Sequence, residues 1–271
     1  MMTTNGEPVG FIRKTADRAG FVAEMMARYK PLLDAAKRIL VKPNIVSHEL
    51  YPTTTHPEVL EEVLRALHGR DIIVAEGAAV DIFNTHRALT SHPLHHICEK
   101  HGVKVIDLHH TPSGNYKSPR GFSVTLSRTP FNFDFIISLP VLKSHSICTI
   151  TGAIKNQFGF TTKAERLKLH SGLKNIHAAI AEVNTFRRPS LCIMDAVDIL
   201  TVTNEVRHGG KKAHLGYMLA GTDPVALDAR GFDLLAGVDD KLWGKSPADV
   251  KHLSLAAQYG VGEMNTRIEE I

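Results

Sequence analysis

The stretch from residue 133 to residue 160, FDFIISLPVLKSHSICTITGAIKNQFGF, constrains the fold more than any other part of the chain. It begins with an almost continuous apolar run from Phe133 to Leu139, which is typical of a strand covered on both faces in a parallel sheet. Pro140 has no backbone N–H to donate to a neighbouring strand, so we expect the strand to end near it. The residues that follow Pro140 are therefore expected to lie at the edge of a buried sheet.

Polar residues follow this strand in two groups. Lys143, Ser144 and His145 come first, and Lys155 with Asn156 follow in a glycine-punctuated turn. A lysine ammonium is a compact charge on a long stem and suits a phosphate or a carboxylate. We predict that these residues form part of a substrate site for an anion. The alternative is that the two lysines are ordinary surface charges.

Further apolar runs alternate with segments of helical periodicity along most of the chain. This order predicts an α/β fold, with a layered, mainly parallel, Rossmann-like sheet that has helices on both faces. Turn residues and alternating polarity at residues 111–130 predict an inserted β-hairpin lobe within a single domain of residues 1–271. The predicted strands besides the first lie at residues 38–46, 71–78, 103–108, 190–200 and 216–222.

Polar residues recur where the predicted strands end, and ligands of parallel sheets bind at that edge. We add Lys42 and Asn44 to the substrate-binding residues, and predict Glu76, Asp195 and His145 as catalytic acid/base candidates. A divalent cation is an alternative, because carboxylate oxygens suit it. Its candidate ligands are Glu76, His145, Asp195 and Asp223.

Local signals predict several boundaries and side-chain positions. Thr55 and Glu58 have the spacing of a capping box with proline between them, and Asp223 precedes Pro224 as an N-cap. Ser246 is predicted to start the last helix. Residues 201–214 are predicted to be a loop, and Asp228 to lie on a helix surface or pair with a lysine.

Composition excludes several classes of function. The net charge is +4 and basic residues are interleaved with acidic ones, so nucleic acid is not an expected partner. We find no membrane-length apolar run and no apolar leader near the N-terminus, which predicts a cytoplasmic protein with no membrane partner. No nucleotide-binding glycine loop and no G-x-S-x-G motif occurs. A homodimer is left open.

The histidines and cysteines give no clear metal motif. The three cysteines, Cys98, Cys148 and Cys192, are far apart and are expected to be buried thiols, with Cys148 a less favoured nucleophile. Six of the sixteen histidines crowd into one region and are expected to be solvated rather than metal ligands: His92, His95, His96, His101, His109 and His110.

Six short motifs in this order resemble the DUF362 family, which is named for its unknown function. They cover the chain from about residue 39 to residue 237, and the K-S-H followed by G-x-x-K-N-x-x-G is the most specific. The motifs are VKPN at 41–44, THP at 55–57, EG at 76–77, LPVLKSH at 139–145, TGAIKNQFG at 151–159 and AGTDPVALD at 220–228. Many members carry or neighbour ferredoxin-like iron–sulfur modules, whereas this chain has no cysteine-rich ferredoxin segment.

Two functional hypotheses follow. The first is an enzyme that binds a small phosphate- or carboxylate-bearing metabolite in a cleft at the carboxyl ends of the strands. The second, which the resemblance suggests, is a non-enzymatic accessory of redox metabolism or metallocentre maturation that works with a ferredoxin-like iron–sulfur partner. Convergence of the three cysteines would favour the second hypothesis.

Overall fold

The apolar run at the centre of the sequence forms a strand in the middle of a ten-stranded sheet. The computed structural model describes residues 9–271. Within them the strands, in chain order, are β1 Gly10–Lys14, β2 Arg38–Pro43, β3 Asp71–Glu76, β4 Lys104–Asp107, β5 Ser113–Lys117, β6 Ser123–Ser127, β7 Phe135–Leu139, β8 Val141–His145, β9 Thr149–Thr151, β10 Leu191–Thr201, β11 Lys211–Gly221 and β12 Ile268–Glu270.

The helices connect these strands and are mostly short. In chain order they are α1 Arg18–Arg28, α2 Lys30–Asp34, α3 Pro57–Ala66, α4 Thr85–Thr90, α5 Pro93–Lys100, α6 Ala153–Asn156, α7 Lys163–His170, α8 Ile176–Phe186, α9 Pro224–Ala236 and α10 Lys251–Gln258. Within residues 9–271, none of them is both long enough and apolar enough to cross a membrane.

The large sheet has the order β12-β1-β11-β10-β7-β2-β3-β4, with β8 and β9 attached beside β10. Pairing is parallel from β10 through β7, β2 and β3 to β4, while β11 is antiparallel to both β1 and β10. The prediction of a mainly parallel α/β sheet is confirmed.

Alternate residues of β10 face two different hydrophobic cores. Leu191 and Ile193 pack with α1, α3 and α5 on one face of the sheet. Cys192 and Met194 pack with α6, α8, α9 and α10 on the other face. Because side chains alternate along a strand, one apolar run supplies both layers, and helices cover both faces as predicted.

The predicted hairpin lobe is present as a separate two-stranded antiparallel sheet of β5 and β6. Val124 and Leu126 of β6 are fully buried against Leu40 and Ile136 of the large sheet and Phe160. The hairpin therefore closes the sheet face next to the turn that follows α6.

One predicted boundary is confirmed and one is wrong. The strand β7 ends before Pro140 as predicted, and Val141–His145 then forms a further strand, β8, which pairs with β10 and β9. The predicted loop at 201–214 is wrong at both ends, since β10 and β11 extend as a long antiparallel hairpin and leave only residues 202–210 outside the strands.

Three local predictions are corrected and one is confirmed. His56, not Thr55, caps α3, because the Thr55 hydroxyl instead donates to the Leu139 carbonyl. Ser246 begins a 3-10 turn, Pro247–Asp249, rather than the last helix itself. Asp228 is fully buried rather than on a surface. Asp223 caps α9 as predicted.

Candidate functional site

A cavity of about 260 Å³ lies where β2, β3 and β8 end, and α6 and α7 form another part of its wall. The tip of the β10–β11 hairpin adds Asn204, Glu205 and His208. Six residues that the sequence singles out line this cavity: Asn44, Glu76, Lys143, His145, Lys155 and Asn156.

Lys155 and Arg166 bring positive charge to the cavity wall without a carboxylate partner among residues 9–271. The Lys155 ammonium lies 5.8 Å from the centre of the Phe158 ring. Arg166 is 5% exposed, and its Nε and Nη1 donate to Thr161 Oγ1 and the Ala78 carbonyl, at 2.8 and 2.6 Å. Its Nη2 is buried with no hydrogen-bond partner in the described part of the chain. One donor of the guanidinium thus has no hydrogen-bond partner among the described residues.

Burial weakens the charged form of these basic groups. Desolvation lowers the pKa of Arg166 to about 10 and also lowers the pKa of Lys155. Arg166 stays charged at neutral pH. At the protein surface, water stabilises the charged forms of lysine and arginine. In this cavity, a bound anion would stabilise the charged forms of Lys155 and Arg166 in place of that water.

Lys143 is fully buried on β8 and its ammonium is held by neutral acceptors. Nζ donates to Asn44 Oδ1 at 2.7 Å and to the Thr53 carbonyl at 2.5 Å. Burial lowers the pKa of Lys143 to about 7. The amine therefore changes protonation state near neutral pH, which suits a group that transfers protons.

His145, the last residue of β8, points its ring into the same cavity wall. Its Nδ1 accepts hydrogen bonds from the backbone N–H groups of Ile147, at 3.1 Å, and Cys148, at 3.2 Å. Burial, and then the nearby Lys155, place the pKa of His145 well below its ordinary value.

Glu76 is held by several donors at the end of β3. Its Oε1 accepts from Lys42 Nζ and from the Gly77 N–H, and its Oε2 accepts from the Ile45 N–H. Lys42 is fully buried behind Glu76, and burial lowers the pKa of Lys42 although Glu76 opposes that shift. The two residues neutralise each other, so Glu76 adds no free charge to the cavity.

Ser144 and Asn156, which are both predicted to bind substrate, differ in their position relative to the cavity. The alternation of β8 turns Ser144 away from the cavity, and its hydroxyl donates to Asp239. Asn156 Nδ2 donates to Ser138 Oγ at 2.9 Å and to the Lys42 carbonyl at 3.1 Å, whereas Oδ1 has no partner within the described residues. The predicted substrate-binding role of Ser144 therefore has no support from its position.

Asp195 and Asp223 lie outside the cavity. Asp195 accepts from Arg18 Nε at 2.7 Å and from the Tyr51 hydroxyl at 2.9 Å, in a buried network of its own. The Asp223 carboxylate accepts from the backbone N–H groups of α9 and of Glu263. The four candidate metal ligands are therefore not brought together, and no group of three or more His, Cys, Asp or Glu residues in 9–271 is arranged to hold a metal ion.

The cysteines and the crowded histidines are dispersed. Cys98 packs on one face of the sheet, while Cys148 and Cys192 pack on the other. All three are buried, and burial raises the pKa of Cys98 to about 12 and also raises the pKa of Cys148. A thiolate is disfavoured at each. His92 caps α5, and His96 contacts Glu99 on the surface.

Two further carboxylates, Asp81 and Glu205, line the rim of the cavity. Arg207 at the hairpin tip pairs with Asp81, at 2.7 Å, and with Glu205, at 2.8 Å. The Glu49 carboxylate accepts from the backbone N–H groups of Val206 and Arg207. The two rim carboxylates, Asp81 and Glu205, thus share Arg207 as a basic partner.

Sequence reasoning missed Arg166, which completes the positive wall. Lys163 and Lys168 are close to it on α7, and in the sequence nothing separates Arg166 from these surface residues. Its burial depends on the long-range contacts of α7 with the segment after β3, which local periodicity does not reveal.

Comparisons with known proteins support the fold and the family. The family model described as "Domain of unknown function (DUF362)" matches residues 39–233. The lactate racemase apoprotein from Thermoanaerobacterium thermosaccharolyticum has a similar structure, with a TM-score of 0.53 and 11% identity over 85% of this chain. This chain spans 58% of the length of that protein.

A protein from Thermotoga maritima solved by structural genomics is similar at a TM-score of 0.45 and 11% identity, over 89% of this chain and 59% of that one. No curated protein matches this chain in sequence. At 11% identity, the likeness to the lactate racemase apoprotein shows an α/β fold and nothing about activity.

Proposed function

The chain belongs to the DUF362 family, and from the geometry of its cavity we propose that it is an enzyme that binds a small phosphate- or carboxylate-bearing metabolite at the carboxyl ends of its strands. One observation carries the proposal: Lys155 and Arg166 line the cavity, and neither forms an ion pair with a carboxylate among the described residues. An uncompensated buried charge is costly, and a bound anion would remove that cost.

The size of the cavity and the arrangement of its donors support a small ligand. A volume of about 260 Å³ accommodates a metabolite of a few carbons rather than a dinucleotide. Lys155 and the free Nη2 of Arg166 supply charge-assisted donors, which are stronger than neutral ones.

The enzymatic part of the proposal depends on Lys143. A buried amine with a pKa of about 7 is matched to proton transfer at neutral pH, and it lies in the same wall as the anion donors. Glu76 would then act as a structural partner of Lys42 rather than as the acid or base. Asp195 lies outside the cavity and is paired with Arg18, so it has no catalytic role in this proposal.

The accessory hypothesis has no specific support from the described residues, because the three cysteines do not share one site. A ferredoxin-like partner, a homodimer and a cytoplasmic location stay predictions.

Binding experiments test the proposal directly. Isothermal titration calorimetry would be run with inorganic phosphate, phosphorylated trioses and two- to four-carbon carboxylates, lactate among them because of the fold shared with lactate racemase. For the best anion of the panel we expect K155M and R166M each to weaken binding by roughly tenfold to a hundredfold, because each loses a charge-assisted hydrogen bond.

The matched control is K168M, since Lys168 is exposed on the same helix as Arg166 and does not line the cavity. It should bind as the wild type does. Unchanged affinity in both K155M and R166M would refute the proposal, as would a panel in which no anion binds.

A further inference from the structure

The two ring nitrogens of His145 have different surroundings, and this difference determines where its proton lies. Nδ1 accepts two backbone hydrogen bonds, from Ile147 and Cys148 in the turn between β8 and β9. A nitrogen that accepts from two N–H groups cannot carry a hydrogen itself. In the neutral ring the proton must then be on Nε2.

Groups from every element packed around His145 disfavour a second proton. Lys155 on α6, His252 on α10, His170 on α7 and Lys143 on β8 all lie close enough to lower the pKa of His145, after burial itself. The carboxylates of the same cavity are engaged elsewhere, Glu76 with Lys42 and the rim acids with Arg207. The ring is consequently neutral over the physiological range of pH.

Nε2 has no hydrogen-bond partner among residues 9–271. The His145 side chain is 9% exposed, and it lines the cavity beside Lys155. A fixed, neutral N–H donor therefore stands near Lys155 in the cavity wall, which Arg166 also lines.

We propose that His145 is a permanently neutral hydrogen-bond donor to an uncharged oxygen of the substrate, and that the substrate is a small anion with a hydroxyl or carbonyl oxygen next to its charged group. This inference rests on the proposed function. Lys155 and Arg166 hold the charged group, and His145 Nε2–H holds the neighbouring oxygen. A preorganised donor of this kind stabilises an oxygen that gains negative charge during reaction.

This role differs from the acid/base role that the sequence predicts for His145. Its Nδ1 is occupied by two backbone donors, and its Nε2 already carries a hydrogen. Lys143 is left as the group of the cavity wall that exchanges a proton near pH 7.

The tautomer is measured without any ligand. Nitrogen NMR on protein labelled with ¹⁵N-histidine, with the His145 signals assigned by their loss in H145N, should show Nε2 protonated and Nδ1 bare, unchanged from pH 6 to pH 8. A His145 signal that titrates in that range, or a protonated Nδ1, would overturn the proposal.

Two variants separate the donor role from the structural role. Asn at position 145 keeps a side-chain oxygen that accepts from the Ile147 and Cys148 N–H groups, but it removes the donor at Nε2. Gln instead places an amide N–H near the Nε2 position. The probes are lactate and propionate, which differ only in a hydroxyl next to the carboxylate.

The wild-type protein should bind lactate roughly tenfold more tightly than propionate, the value of about one neutral hydrogen bond. H145N should fold normally and lose this preference, while H145Q should keep part of it. Equal affinity of the wild type for the two anions, or an unchanged preference in H145N, would overturn the proposal.

Different results would refute the proposed anion site and the proposed role of His145. If K155M abolishes binding of both probes while H145N keeps the preference for lactate, the anion site stands and the role of His145 is wrong. If neither probe binds to the wild type, the proposed substrate class is wrong, even where phosphate binds.

Discussion

The Nζ atom of Lys42 lies 2.5 Å from Oε1 of Glu76, and the two side chains are 0% and 2% exposed. This pair joins the ends of β2 and β3 directly behind the cavity. Since the two charges compensate each other directly and backbone groups complete their hydrogen bonds, the pair fixes the distance between two walls of the site.

Removing one member of the Lys42–Glu76 pair should strongly destabilise the fold. We expect E76Q and K42M each to lower the free energy of unfolding in urea by about 3–5 kcal/mol, because each leaves an uncompensated buried group. The K42M/E76Q double variant should cost less than the sum of the two. In the exposed Arg38–Asp71 pair, D71N should cost less than about 1 kcal/mol. A loss of that small size in both buried variants would contradict the prediction.

A methyl group at Gly159 should disturb the same pair. A Cβ at this position would lie 2.5 Å from Glu76 Oε1 and 2.6 Å from Lys42 Nζ. We expect G159A to lower the free energy of unfolding by about 1–3 kcal/mol, the usual cost of overpacking, and to weaken anion binding. The control is G237A, where the nearest atom would be 3.3 Å away. If G159A and G237A lower the free energy of unfolding by the same amount, the close packing of Gly159 against Lys42 and Glu76 is wrong.

Anion affinity should depend on pH through Lys143. Its pKa is about 7 in the folded protein because of burial, and an anion favours the protonated amine. Affinity should therefore be highest below pH 7 and should fall as the pH rises through that value. Titration calorimetry from pH 6 to pH 8 would show this fall in the wild type and its absence in K143M. A constant affinity in the wild type would rule out a role for the Lys143 charge.

Asp228 should make stability depend on pH. It is fully buried and caps α6 by accepting from the Ala153 and Ile154 N–H groups, and burial raises its pKa to about 7. The folded state thus holds this proton more tightly than the unfolded state, whose carboxyl has a pKa of about 3.9. Its contribution to stability is complete below about pH 4 and is lost as the pH rises through 7.

Urea unfolding at pH 4.5 and at pH 8 tests this sign. In D228N the loss of stability between the two pH values should be smaller than in the wild type by up to a few kcal/mol. In D240N, which changes an exposed residue, the loss should match that of the wild type. An identical pH dependence in D228N and the wild type would contradict the prediction.

Much of the fold could be predicted because its signals are local. The apolar run of β7 and the prolines at the starts of α3 and α9 mark elements by themselves. The polar residues after β2, β3 and β7 could be placed near one another because parallel strands end at one edge of a sheet.

The rest of the site depends on contacts between distant parts of the chain. Asp195 follows an apolar run in the sequence, as the other polar candidates do, but Arg18, which is 177 residues away in sequence, forms an ion pair with it. For Arg166 the sequence misleads in the opposite direction. The residue looks like a surface residue in the sequence, but its neighbours in the fold bury it. Pairing decides the role of a charged residue, and pairing is not a local property of the sequence.

The strand β8 has one further consequence, which concerns changes in length. Lys143 and His145 face the cavity, while Ser144 between them bonds to Asp239 on the other side. A one-residue insertion or deletion between Pro140 and Lys143 would turn Ser144 inward and both basic residues outward, with every residue of the site still present in the chain. This segment should therefore tolerate a substitution more easily than an insertion or a deletion.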